Sequence, residues 1–216
     1  MKPVSIRFDR LAARLVPMAL AGGLFTVVPL DAQAHEFALG GDAYQDFLAG
    51  GMAVLIDLPV MIALASTGIL VSMWKRDGLP LVWPAFLLAI PAGFVIAALV
   101  PVDPVPLLFA TAIALGLLAV VAIRPGVRIM SAIVFLTGLL TGWGILAGHA
   151  WGEVPPGAYA GIFGLFNLVL ATSATIVSTG LKRLPYGWVE ISFRALASWM
   201  VAIAMMGWAF LLGQTG

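Results

Sequence analysis

PLVWPAFLLAIPAGFVIAALV at residues 80–100 and VPLLFATAIALGLLAVVAI at 105–123 contain no charged side chain between them. Each run is close to the ~20 residues with which a helix crosses the ~30 Å hydrocarbon core of a bilayer. Only Pro101-Val102-Asp103-Pro104 separates them, so they read as two antiparallel spans joined by a tight turn. Working outward, four further apolar segments lie at about 45–74, 128–148, 157–180 and 188–212, with connections too short for any soluble domain. The composition agrees: 62% of the 216 residues are hydrophobic and 10% charged, against ~25% charged in an ordinary soluble domain. A mean hydropathy of +1.09 points the same way. The expected fold is all-α, a polytopic membrane bundle of six transmembrane helices over residues 35–216.

The first 34 residues read as a cleaved secretory signal. Lys2, Arg7, Arg10 and Arg14 precede an apolar stretch from Leu15 to Leu30, which is short and broken by Pro17, Gly22, Gly23 and Pro29. Asp31-Ala32-Gln33-Ala34 then places small residues at the usual −3 and −1 positions, so cleavage after Ala34 makes His35 the new N-terminus. Losing this segment leaves seven basic residues against eight acids. The loops alternate in chemistry: Lys75-Arg76, then Asp103 among prolines, then Arg124 and Arg128, then His149 to Pro156 with Glu153, then Lys182-Arg183. The positive-inside rule assigns the first, third and fifth loops to the cytoplasm of a bacterial inner membrane, with both mature termini on the periplasmic side.

No basic patch for nucleic acid remains once the signal is removed. With no cysteine there is no disulfide, thiolate metal site or cysteine nucleophile. No span contains a histidine for serine protease chemistry, and neither phosphate-cradling glycine loops nor HExxH occur, so an enzyme is not expected. Glycines at four-residue spacing (Gly138 with Gly142, Gly144 with Gly148, Gly157 with Gly161) suit close helix packing within the bundle.

An ionisable residue inside a span is costly and therefore a functional candidate. If the first helix starts near Gln45, Asp57 lies ~18 Å deep at ~1.5 Å per residue, close to the midplane. A carboxylate there must be protonated, paired or bound to a cation. It is either a station on a cation or proton path or a structural hydrogen bond to a neighbouring helix. Asn167 sits at nearly the same depth on the fifth segment, which also carries the hydroxyls Thr172, Ser173, Thr175, Ser178 and Thr179. That ladder suits interhelical hydrogen bonds or a polar path. Arg194 follows Glu190 by one helical turn, favouring an intrahelical ion pair or snorkelling over a substrate role. On the outer side, His149 and Glu153 are one turn apart if the helix persists, and imidazole with carboxylate suits nickel, cobalt, zinc or copper. His35, with its freed amine, and the nearby Glu36 and Asp42 could add ligands.

These features together resemble the HupE/UreJ family of hydrogenase and urease accessory proteins, regarded as nickel or cobalt permeases. The resemblance rests on the signal ending before a histidine, six spans, an acid in the first, Gly148-His149-Ala150-Trp151-Gly152-Glu153-Val154-Pro155 after the fourth, and Arg194 with Ala197 and Ser198 in the last. It covers the whole mature chain. The family motif His-Pro-x-x-Gly-x-Asp-His, aligned on Asp57, meets Gly51, Met52, Leu55 and Leu58 at its other named positions. The resemblance implies a permease for a divalent metal ion; with the residues singled out above, the ion would be held by Asp57, His149, Glu153 and His35, with Asn167, Thr175 and Arg194 along its path. Metalloenzyme maturation factors would be its partners and the bilayer its surroundings. A non-transporting membrane accessory protein is the other reading. N-terminal sequencing of the membrane-extracted protein is expected to begin His-Glu-Phe at residue 35, and retention of Met1 would overturn the cleaved signal.

Overall fold

The computed structural model describes residues 42–214 other than 101, 151 and 185. The signal segment and His35 lie outside the described residues. Those described form seven helices: α1 (Ala43–Ile56), α2 (Leu58–Trp74), α3 (Leu79–Leu99), α4 (Val105–Val121), α5 (Val127–Ile145), α6 (Pro156–Arg183) and α7 (Gly187–Gln214). Four of them, α3, α5, α6 and α7, are long and apolar enough to cross a membrane, and α1 with α2 makes a fifth if the bent pair is one span. The protein is therefore an all-helical bundle of membrane type. Its outward surface fits lipid: Leu88, Trp199, Met206 and Phe210 are each more than 70% exposed, an apolar exterior that water would not tolerate.

The first apolar segment is not the single helix expected from its length. It breaks at Asp57, and the axes of α1 and α2 differ by 79°. Beyond the break, α2 is apolar all round and occupies the centre, with 12 of its 17 residues buried. It packs against α4, α5, α6 and α7, while α3 pairs mainly with α5, α4 with α7, and α1 with α6.

These pairings rely on close backbone approach. Gly142 on α5 faces α3, where a Cβ would sit 2.7 Å from the Ile90 carbonyl oxygen, and a Cβ on Gly138 would meet Phe86 at 2.9 Å. Gly157 and Gly161 admit α1 in the same way, through Ala43, Asp46 and Phe47. Gly148 departs from the expected pattern. It lies beyond α5 with φ +86° and open space around its missing Cβ, so it serves a turn rather than a helix interface.

The helix ends sort the charges. Trp74 Nε1 donates to the Pro125 carbonyl at 2.8 Å, Ser178 Oγ donates to the Arg76 carbonyl, Lys182 pairs with Asp77, and an Arg194 NH2 group donates to the Val121 carbonyl at 3.3 Å. These contacts gather the first, third and fifth connections, with their lysines and arginines, at one end of the bundle. The start of α1 meets the start of α6 at the other end, and Gly144 near the end of α5 meets Leu108 near the start of α4.

Replacing Gly142 by Ala is expected to lower stability in detergent by about 1–3 kcal/mol, because backbone must move to admit the methyl group. Gly213→Ala, where nothing lies within 4 Å, should change it by less than about 0.5 kcal/mol. Thermal unfolding of the two purified variants checks the difference.

Candidate functional site

The break at Asp57 has a local cause. Pro59 has no N–H, and its ring would crowd the carbonyl four residues earlier if α1 simply continued; α3 runs on through Pro84 and Pro91, so here the proline favours the break and the Asp57 cap completes it. Asp57 manages both ends. Its backbone N–H reaches the Ala53 carbonyl at 3.2 Å and closes α1, while its carbonyl accepts from the Met61 N–H at 2.9 Å. Its side-chain Oδ1 accepts from the Val60 N–H at 2.9 Å, making Asp57 the N-cap of α2. The carboxylate thereby faces the positive end of a helix macrodipole. An Asp two residues before a Pro is a helix-start signature that the apolar run conceals.

The chain keeps contact with α6 on both sides of the break: Gly50 packs against the Ala158 backbone and Gly68 against Ser173, so 18 residues of chain accompany 15 of α6. An open apolar groove of about 410 Å³ lies between α1 and α6, walled by Phe47, Met52, Leu55, Leu165 and Leu168. Asp57 itself is half-buried, and its neighbours Ile56 and Leu58 are each 49% exposed.

Asn167 is engaged in packing. Its Oδ1 accepts from Trp83 Nε1 at 2.7 Å and its Nδ2 donates to the Phe163 carbonyl at 2.8 Å, a polar link from α6 to α3. Trp83 was not evident in sequence, because an indole in an apolar run gives no sign of its partner. The hydroxyls of α6 do not form one path: Thr175 is exposed, Ser173 bonds back to the Leu170 carbonyl, and Ser178 holds Arg76. More of the buried polar groups lie on α2, where Ser72 Oγ donates to the Ala174 carbonyl at 2.8 Å and Thr67 bonds back to Ala63.

Two expectations of side-chain pairing change. Among the described residues the ion pair is Lys182 with Asp77, and Arg194 does not pair with Glu190. Arg194 instead reaches the last carbonyl of α4, where a cation is favoured by the negative end of that helix. The helical spacing of His149 and Glu153 does not hold either. Helix α5 ends at Ile145, and two left-handed glycines, Gly148 and Gly152, turn the chain between. Glu153 Oε2 accepts from the Ala150 N–H at 2.7 Å, so the carboxylate closes its own loop. No group of three or more His, Cys, Asp or Glu side chains among the described residues is close enough to hold a metal ion.

No family model, characterised protein or solved structure matches the chain.

The Trp83–Asn167 link should be measurable as a coupling. Trp83→Phe and Asn167→Leu, combined in a double-mutant cycle in detergent, are expected to show between about 0.6 and 1.7 kcal/mol of interaction. A value near zero would mean that the indole and amide do not bond.

Proposed function

We propose that the protein is a six-span integral membrane permease of the HupE/UreJ kind, passing a divalent transition-metal cation (nickel, cobalt, copper or zinc) with Asp57 as the central station of its path. The observation that carries this reading is the helix break capped by Asp57. Discontinuous helices in membranes expose backbone groups and half-helix ends, and transporters build their binding sites from them. A carboxylate oxygen at such a break is a ligand of the type that divalent cations accept. The six spans of the proposal are the bent pair α1–α2, the four long helices, and α4, whose 17 apolar residues make it the shortest. The gathering of the basic loops at one end supports a cytoplasmic position for that end and an outer position for the mature N-terminus and the His149 loop.

A second reading has its own support. Asn167, Ser72 and Arg194 are each occupied in bonds between helices, the arrangement expected of a non-transporting membrane accessory or assembly protein whose polar residues only pack helices.

Asp57→Asn separates the two readings, because asparagine keeps the N-cap acceptor while removing the charge. Under the permease reading, metal accumulation in cells expressing Asp57→Asn falls to the level of cells lacking the protein, with unchanged protein in the membrane. Asp57→Ala should do the same and also lose about 1 kcal/mol of stability with the cap. Undiminished uptake of all four metals by Asp57→Asn would overturn the permease reading.

A further inference from the structure

All seven basic side chains of residues 42–214 lie in or next to the three connections gathered at one end, with only Asp77 and Glu190 as acids there. Six of these seven side chains are exposed, and two of the six, Arg76 and Arg124, line one cavity. A polar cavity of about 180 Å³ opens there between α2, α6, the start of α7 and the connection after α4, with Arg76, Arg124 and Glu190 as its charged wall. Its frame is pinned from four directions. Trp74 holds the Pro125 carbonyl and so fixes the segment carrying Arg124. Ser178 holds the Arg76 carbonyl. Ser72 is committed to Ala174, and Asp77 is taken by Lys182.

The charged residues that line the cavity are two arginines and one glutamate. Among the described residues neither Arg76 nor Arg124 forms an ion pair, and Glu190 neutralises neither. The wall therefore carries one net positive charge, with forked donors supplied from two different loops. A guanidinium fork matches the oxygens of a phosphate group two at a time, and a basic pocket between membrane helices on the cytoplasmic side is a recognised seat for anionic headgroups.

We propose that this cavity binds a phosphate group, the anion shared by phospholipid headgroups and small phosphate esters, clamped between Arg76 and Arg124. Glu190 sets a limit on affinity, since any bound anion meets its carboxylate. The site stands apart from Asp57 and does not depend on the transport reading.

The test uses the full chain purified in a neutral detergent and follows its thermal midpoint on titration with short-chain phosphatidylglycerol, inorganic phosphate, or short-chain phosphatidylcholine as the uncharged control. A saturable upward shift is expected with phosphatidylglycerol. If phosphate alone gives the same saturable shift the source is a free phosphate, and if only the lipid does it is a headgroup; either result sustains the site. Arg76→Gln with Arg124→Gln should weaken the apparent affinity by about tenfold or more, as loss of charge-assisted bonds implies. Arg183→Gln, as exposed as the two arginines but outside the cavity wall, should change it less than about twofold, as expected of a screened charge that does not touch the anion. Glu190→Gln should tighten binding. Absence of a saturable shift with either anionic probe, an equal shift with phosphatidylcholine, or an equal loss in Arg183→Gln overturns the proposal. Should the double variant fail to fold, Glu190→Gln decides alone: tighter binding supports the site, and unchanged binding refutes it.

Discussion

Inside a bilayer no water is present to satisfy a backbone group, so a helix can be interrupted only where some other group takes over the lost hydrogen bonds. In this chain the interruption falls just before Pro59, and Asp57 takes over. Its Oδ1 accepts the Val60 N–H, its backbone N–H closes α1, and its carbonyl begins the ladder of α2. The rest of the bundle depends on where that restart aims α2. Residues 60–74 run through the centre and present Ser66 to Met200, Gly68 to Ser173 and Ser72 to Ala174.

Around that axis, tight packing follows from glycine and small polar groups rather than from a hydrophobic driving force. Lipid tails are as apolar as leucine, so helices gain little by hiding leucine from them and much by fitting closely. Gly142 against Ile90 and Gly161 against Phe47 bring backbones together. The Trp83–Asn167 and Ser72–Ala174 bonds fix rotation and depth. Charge is then confined to the ends, with the basic loops tied together by bonds from Trp74, Ser178, Lys182 and Arg194. Asp57 sits at the helix break, between α1 and α2 and not in a loop, and that position makes it the centre of the proposed transport path.

The helical membrane class was legible in sequence because long runs without charge have few other uses, and the alternating loops agree with the way the helix ends sort. The glycine spacing correctly marked interfaces at Gly138, Gly142, Gly157 and Gly161, but Gly148 belongs to a turn. Less legible was everything that depends on who faces whom. The break at Asp57 was hidden inside a continuous apolar run, although Asp-Leu-Pro was its local signal. The pairing of Arg194 with the end of α4 could not follow from its spacing to Glu190, since the carbonyl that attracts it is 73 residues away in sequence. Likewise Glu153 turns back on Ala150 because α5 ends early, which spacing alone does not reveal.

The absence of cysteine allows the broken helix to be measured directly, by placing spin labels at Tyr44→Cys and Lys75→Cys in the otherwise unchanged chain and recording their separation in lipid. With the 79° bend at Asp57, the backbone positions are expected about 36 Å apart, whereas one continuous helix of the same length would separate them by about 46 Å. A distribution centred near the shorter distance supports the account, and one centred near the longer distance contradicts it.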